Sequence, residues 1–247
     1  MQDKLQSARY EFKYIVTEKQ ARQILAFVLE YLEPDRFTEG REGIGYPVHS
    51  LYLDGSGFQT CVAVIHGAKN RFKLRLRFYD DVGPVFFEIK RRVNLVIFKQ
   101  RAAVRRDAVS ELLAGAPPDR KYLLEPDSTK HFKALYDFCE LRDAIDARPA
   151  AYTSYMREGY ERQGDNAVRV TFDRELRAGK FDGELSVADL EEWDKPPMGG
   201  VVLELKFTDR FPDWMLTLVQ HFDLTRTGFA KYCKCVNSVH GLGFHNP

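Results

Sequence analysis

Polar and apolar residues alternate one by one along much of this chain, the period of a strand with one buried face. Arg9 to Val16 opens with that alternation. From Thr17 to Leu32 the period changes, and Ala21, Ile24, Leu25, Val28 and Leu32 recur at helical spacing, with Thr17 as N-cap and Gln20 at the capping-box position. Strands are expected again at Val48 to Asp54, ending in the Asp54-Gly55 turn signal, and as a hairpin of Arg71 to Tyr79 with Val85 to Val93 around Asp80 to Pro84. Arg101 to Ala116 and Ser128 to Ala147, separated by Gly115 to Pro118, are helix-compatible and predict a helical insertion at about 100–147. Alternation returns at Tyr152 to Arg162, Val168 to Leu176 and Val201 to Phe207. Pro212 to Phe222 and Phe229 to Val239 read as closing helices, with Pro212 suited to a first turn. The fold class predicted is α+β: an antiparallel sheet closed into a barrel or tunnel, with flanking and inserted helices.

Residues two apart on a strand point the same way, so each alternation can be sorted into faces. Arg9, Glu11 and Lys13 oppose Tyr10, Phe12 and Tyr14. Lys73, Arg75 and Arg77 oppose Phe72, Leu74, Leu76 and Phe78; Glu88, Lys90 and Arg92 oppose Phe87, Ile89 and Arg91. Arg169, Thr171 and Asp173 oppose Val168, Val170 and Phe172, and Glu204 and Lys206 oppose Leu203, Leu205 and Phe207. One such strand is an ordinary sheet with a wet face. Five of them, dominated by Arg, Lys and Glu, differ from the usual mixed polar surface. Like charges such as Arg75 and Arg77 repel unless an anion lies between them, and closing the strands into a barrel aims more cations at one lumen. Arg offers phosphate a planar fork and Lys a point charge, whereas Glu hinders an anion unless it holds a metal or pairs with a cation. Glu11, Glu88 and Glu204 are therefore the candidate metal ligands.

Composition sharpens this. With 44% apolar residues the chain of 247 can bury a core as one domain, and 37 basic against 36 acidic side chains leave a net charge of only +1. An anion site must then be local, and a broad basic surface for nucleic acid is not indicated. A basic barrel tracking nucleic acid is further disfavoured because alternation puts the Phe and Tyr residues on the face opposite the cations. The polar start of the chain, and the lack of about 18 consecutive apolar residues, predict a cytoplasmic protein without a transmembrane segment. Cys61, Cys139, Cys233 and Cys235 are too scattered for a disulfide framework and read as ordinary thiols.

The ordered succession of these strands resembles the VTC (vacuolar transporter chaperone) catalytic domain, the polyphosphate polymerase branch of the triphosphate tunnel metalloenzymes. The likeness runs through Arg9-Tyr10-Glu11-Phe12-Lys13-Tyr14, Leu51-Tyr52-Leu53-Asp54, Lys73-Leu74-Arg75-Leu76-Arg77-Phe78-Tyr79, Glu88-Ile89-Lys90, Val168-Arg169-Val170-Thr171-Phe172-Asp173 and Leu203-Glu204-Leu205-Lys206. It implies a single domain over 1–247 in which Lys13, Arg75, Arg77, Lys90 and Arg169 bind phosphates. Lys73, Lys206 and Lys231 would complete the basic lining. Glu204, with Glu11 beside it, would ligate Mn2+ or Mg2+. Arg75, Arg77, Lys90, Arg169 and Glu204 would be the catalytic set, transferring the γ-phosphate of ATP or another nucleoside triphosphate to growing polyphosphate. Triphosphate and pyrophosphate are implied ligands too, and a membrane partner is implied as in some VTC complexes. Water as acceptor gives a triphosphatase or polyphosphatase; loss of productive metal geometry gives a non-catalytic polyphosphate-binding module. Two departures stand out. Arg9 replaces the first Glu of the wider superfamily's Glu-x-Glu-x-Lys, as in the VTC branch, and Gly228-Phe229-Ala230-Lys231 stands where the family commonly has Lys-Phe-Ser-Lys.

Overall fold

The computed structural model describes residues 9–243 apart from residue 163. In chain order its main elements are β1 (Arg9–Val16), α1 (Glu18–Val28), β2 (Glu33–Pro34), β3 (Tyr46–Asp54), α2 (Gln59–Ile65), β4 (Asn70–Phe78), β5 (Val85–Val93) and β6 (Val96–Val104). There follow α3 (Val109–Leu113), α4 (Thr129–Ala144), β7 (Arg148–Arg162), β8 (Asp165–Gly179), β9 (Val201–Thr208), α5 (Asp213–His221) and α6 (Lys231–His240). The capping box is formed at Thr17: its hydroxyl accepts from the Gln20 amide while the Gln20 side chain accepts from the Thr17 amide.

Every strand pairing is antiparallel, and the sheet runs β2-β7-β3-β4-β5-β6-β1-β9-β8. Because β7 also pairs with β8, from Tyr152 opposite Gly179 to Glu161 opposite Arg169, the sheet closes on itself. The result is a ring-like tunnel of eight strands, with two-residue β2 paired to Tyr160 and Glu161 of β7, beyond the stretch that β3 covers. Closure turns strand parity into geometry. Lys13 lies opposite Glu204, Glu204 opposite Thr171, Arg75 between Tyr52 and Glu88, and Lys73 opposite Lys90, so one charged face lines the lumen all round.

The apolar face turns outward and is covered by helices. Leu51, Leu74, Leu76, Phe87 and Ile89 pack with Phe138 and Leu135 of α4 and with Leu112 of α3. Tyr14, Val16, Leu203 and Leu205 pack with Ile24 of α1 and with Met215 and Leu218 of α5. A third core lies within the ring: Tyr232, Cys233 and Val236 of α6 and Cys61 of α2 cover Tyr52, Ala151, Tyr155 and Val202, whose parity is luminal. Helix α6 therefore plugs part of the lumen and carries Lys231 into it. All four cysteines are free and buried.

The segment expected as a helical insertion at about 100–147 is strand at its start. Val96 to Val104 pairs with β5 residue by residue, from Val93 opposite Val96 to Val85 opposite Val104. Helices occupy only the remainder. The strand was hidden because Arg101-Ala-Ala-Val-Arg has strong helix formers, and the long-range ladder overrides that local preference.

Candidate functional site

A cavity of about 480 Å³ opens within the ring, and its wall carries twelve basic side chains and two carboxylates. The chain as a whole is balanced at +1, so the fold has concentrated its positive charge here. Lys13, Lys73, Arg75, Arg77, Lys90, Lys206 and Lys231 all reach this wall, as do Glu11 and Glu204. Each of these strand residues is on the luminal parity of its strand, so the sorting by alternation holds at every one. Lys231 arrives instead from the first turn of α6, whose N-terminal approach, Gly228 to Ala230, also lines the cavity.

The carboxylates inside the ring are each bound by several cations. Glu204 lies 2.6 Å from Lys206 Nζ, 3.2 Å from Lys231 Nζ, 3.3 Å from Arg157 Nη2 and 3.7 Å from Lys13 Nζ. Glu11 receives Lys13 and Lys90 at 2.9 Å each. Glu88 takes Arg75, Lys99 and Arg101 at 2.7 Å each, and Asp173 takes Arg157 and Lys231 at 2.6 Å. Burial alone would push these carboxyls up. The surrounding ammonium and guanidinium groups outweigh it, holding Glu11, Glu88 and Glu204 well below the usual carboxylate range, and all are charged.

The cations outnumber these carboxylates, and the strain shows in their acidities. Burial, reinforced by neighbouring Arg157 and Arg169, drags Lys206 down to about 7 despite Glu204; burial with Arg101 and Arg75 does the same to Lys99 despite Glu88. Burial and the charges of Lys13 and Lys90 also lower Lys73, whose ammonium sits 5.6 Å over the Tyr232 ring. Burial would raise the Tyr52 phenol, but Arg75, Lys73 and Arg77 pull it down to about 8. Arg77, only 5% exposed, is held by neutral hydroxyls, Ser50 Oγ at 3.0 Å and Tyr155 Oη at 3.4 Å, which leave its charge for a ligand. Such a wall is short of anions by design of its register: Lys73 faces Lys90, and Lys90 faces Lys99.

Arg169 departs from expectation. Its parity is luminal, yet it does not line the cavity; its guanidinium is bound by Asp35, by Glu161 at 3.1 Å and by the Tyr46 hydroxyl at 3.1 Å. Glu161 lies directly opposite it on β7, and Gly159 lacks the Cβ that would collide with the Asp35 carboxylate. Neither partner could be foreseen from the β8 sequence. Of the metal candidates, Glu88 does not line the cavity, whereas Glu11 and Glu204 do, although Glu204 is itself held by four cations. Arg71, Arg91, Arg92, Arg157 and Arg226 were missed as lining residues, and Arg91 lines the cavity although alternation puts it on the face opposite Lys90 and Arg92. Arg157 was recoverable, since Thr153, Tyr155, Arg157 and Gly159 alternate within a strand that the sequence predicts; Arg226, in a loop, carries no periodic signal.

Could the wall hold a divalent ion? Among the described residues no group of three His, Cys, Asp or Glu side chains comes together. Glu11 and Glu204 do share Lys13 between them, and two carboxylates with phosphate oxygens from a ligand make a donor set that suits Mg2+ or Mn2+. The protein thus offers half a site, which a phosphate chain would have to complete.

The fold and wall define a closed antiparallel tunnel whose interior concentrates positive charge. Residues 8–240 match the model of the VTC domain, and the chain belongs to that family. It is 25% identical to vacuolar transporter chaperone complex subunit 2 of Schizosaccharomyces pombe, over 76% of this chain and 28% of that protein. It is likewise 25% identical to vacuolar transporter chaperone complex subunit 4 of Trypanosoma cruzi, over 97% of this chain and 34% of that protein. The chain therefore spans about a third of the length of these relatives. Among solved structures, a candidate adenylate cyclase from Bacillus halodurans overlaps with a TM-score of 0.49 at 11% identity, covering 90% of this chain and 93% of that one. Similarity at that level carries no chemistry. No helix among the described residues is long and apolar enough to cross a membrane.

Proposed function

We propose that this tunnel binds the phosphate chain of ATP or another nucleoside triphosphate, and of inorganic polyphosphate, and transfers a phosphoryl group between them in the direction of polyphosphate synthesis. One observation carries the reading: twelve basic side chains against two carboxylates around a closed lumen, in a chain whose net charge is +1. An elongated polyanion neutralises such a wall, and phosphoryl transfer is catalysed chiefly by positioning and by neutralising charge on the equatorial oxygens. A terminal phosphate oxygen of the acceptor chain attacks the γ-phosphorus, a P–O bond forms, and the bond to the β-phosphate oxygen breaks to release the diphosphate. No protein nucleophile is required. Arg75 and Arg77 fork the phosphate oxygens, and Lys13, Lys73, Lys90, Lys206 and Lys231 supply point charges along the chain. Glu204 and Glu11 would hold Mn2+ or Mg2+ together with phosphate oxygens, where a divalent ion supplies charge neutralisation. Arg169 is assigned to bracing β7 against the Asp35 segment rather than to the ligand, because its two carboxylates already neutralise it.

A second reading, a binding module without turnover, is favoured by a specific observation. Every carboxylate at the wall is committed to cations, and Gly228 and Ala230 replace a family Lys and Ser. Purified protein incubated with ATP and Mn2+ or Mg2+, with products assayed for polyphosphate and for free phosphate, separates the readings. Polyphosphate supports synthesis, phosphate alone a triphosphatase, and tight triphosphate binding without either product the module. In the enzyme, Glu204→Gln should abolish turnover by orders of magnitude while metal-free triphosphate binding is kept.

A further inference from the structure

The β5–β6 hairpin projects beyond the helix that covers it. Lower down, Ile89 is buried and Gln100 donates to Asp137 of α4, but the tip has no such cover: Leu95 is 55% exposed, Val93 44% and Phe98 43%. The turn is tight, Val93 opposite Val96 with Asn94 at φ 54°, and the register puts Val93, Val96 and Phe98 on one outer face with Leu95 at the apex. Evolution normally blunts such a tip with polar residues, and an exposed apolar group of this kind marks a contact.

Charge says what it contacts. No Asp or Glu occurs between Glu88 and Asp107 or between Asp54 and Asp80, and Arg91 and Arg92 flank the tip, whereas Lys90, Lys99 and Arg101 are paired with Glu11 and Glu88 inside the ring. The adjoining loop is tied to the tip, since the Asn94 amide donates to the Lys69 carbonyl at 3.0 Å, which brings Lys69 and Arg71 beside it. An apolar point in a collar of basic residues fits an anionic surface with an apolar interior. A stable protein–protein interface needs about 1,200 Å² of complementary area, which a narrow convex tip does not offer. A bilayer deforms around it.

We infer that the tip docks this domain on a membrane rich in anionic lipid. Val93, Leu95 and Phe98 enter the interface while Lys69, Arg91 and Arg92 meet the headgroups. Arg71, Arg91, Arg92 and Ile97 also line the cavity, so docking places this part of its wall beside the lipid surface. This inference is independent of the proposed chemistry.

Sedimentation with phosphatidylcholine vesicles, with and without about one-third phosphatidylserine, tests it. Wild type should bind the anionic vesicles at least about tenfold more tightly than the neutral ones. Leu95→Asp and Val93→Asp should each lose about tenfold or more of that binding, with thermal melting and tripolyphosphate affinity unchanged. Both side chains are exposed and neither lines the cavity, so folding and the tunnel are controlled separately. The inference is overturned by absence of vesicle binding, by equal binding to neutral vesicles, or by variants that bind like wild type. It is also overturned if saturating tripolyphosphate displaces the vesicles, because the lumen would then hold the headgroups, or if polyglutamate retains the protein as well as vesicles do.

Discussion

Lys206 allows the anion-binding reading to be tested by counting protons. Its ammonium lies 2.6 Å from Glu204, yet burial and the neighbouring guanidiniums hold it at about 7. At pH 8 a lysine with that pKa is only about one-tenth protonated. A phosphate chain laid beside it returns the pKa toward the ordinary lysine range, so binding at pH 8 should draw in roughly 0.9 of a proton at this residue. The sign follows: the bound state holds more protons, so affinity falls as pH rises above 7, by about tenfold per unit from this group alone, and levels off below 7 where Lys206 is already charged. Tripolyphosphate also titrates in this range and can lose a proton on meeting the cationic wall, so the uptake assigned to Lys206 is the difference between wild type and Lys206→Met. Calorimetric titration of tripolyphosphate in two buffers of different ionisation enthalpy gives the proton number directly. Lys206→Met should remove most of the uptake. Lys99, also near 7 but held on Glu88 outside the cavity wall, is the control whose replacement should leave most of it in place. The same proton number in wild type and Lys206→Met would refute the reasoning.

Further outcomes follow from the same wall. Arg75 lines the cavity while its Nε and Nη2 donate to Glu88 and its Nη1 to the Tyr52 hydroxyl, so Arg75→Ala removes a wall charge and should weaken tripolyphosphate binding by roughly 5- to 150-fold, corresponding to about 1–3 kcal/mol, in a salt-dependent manner measurable by titration. Gly228→Lys restores a cation that the family commonly has; a Cβ there meets nothing within 4 Å, so the fold should be unaffected while tripolyphosphate affinity rises several-fold. Ala230 is the N-cap of α6 with φ −103° and no side-chain hydrogen bond, so Ala230→Ser should add about 0.5–2 kcal/mol of stability, read as a higher midpoint in chemical denaturation.

Much of this protein was determined by local pattern. Strand limits such as Arg9–Val16 and Val85–Val93, the Thr17 capping box and the opposition of charged and apolar faces all follow from side-chain period and hydrogen-bonding chemistry acting over a few residues. The fold class and the basic face were therefore legible before any tertiary contact. The outcome for individual charges was not. Whether an arginine is offered to a ligand or spent on a neighbour depends on which residue the register brings opposite it: Arg77 meets Ser50 and stays available, while Arg169 meets Glu161 and Asp35 and is neutralised. The β6 strand appeared only when β5 supplied its ladder, and Lys231 reached Glu204 only because α6 folds into the ring. Parity is a property of one strand, whereas pairing partners, burial and hence acidity are set by residues distant in sequence, and those only closure of the sheet could decide.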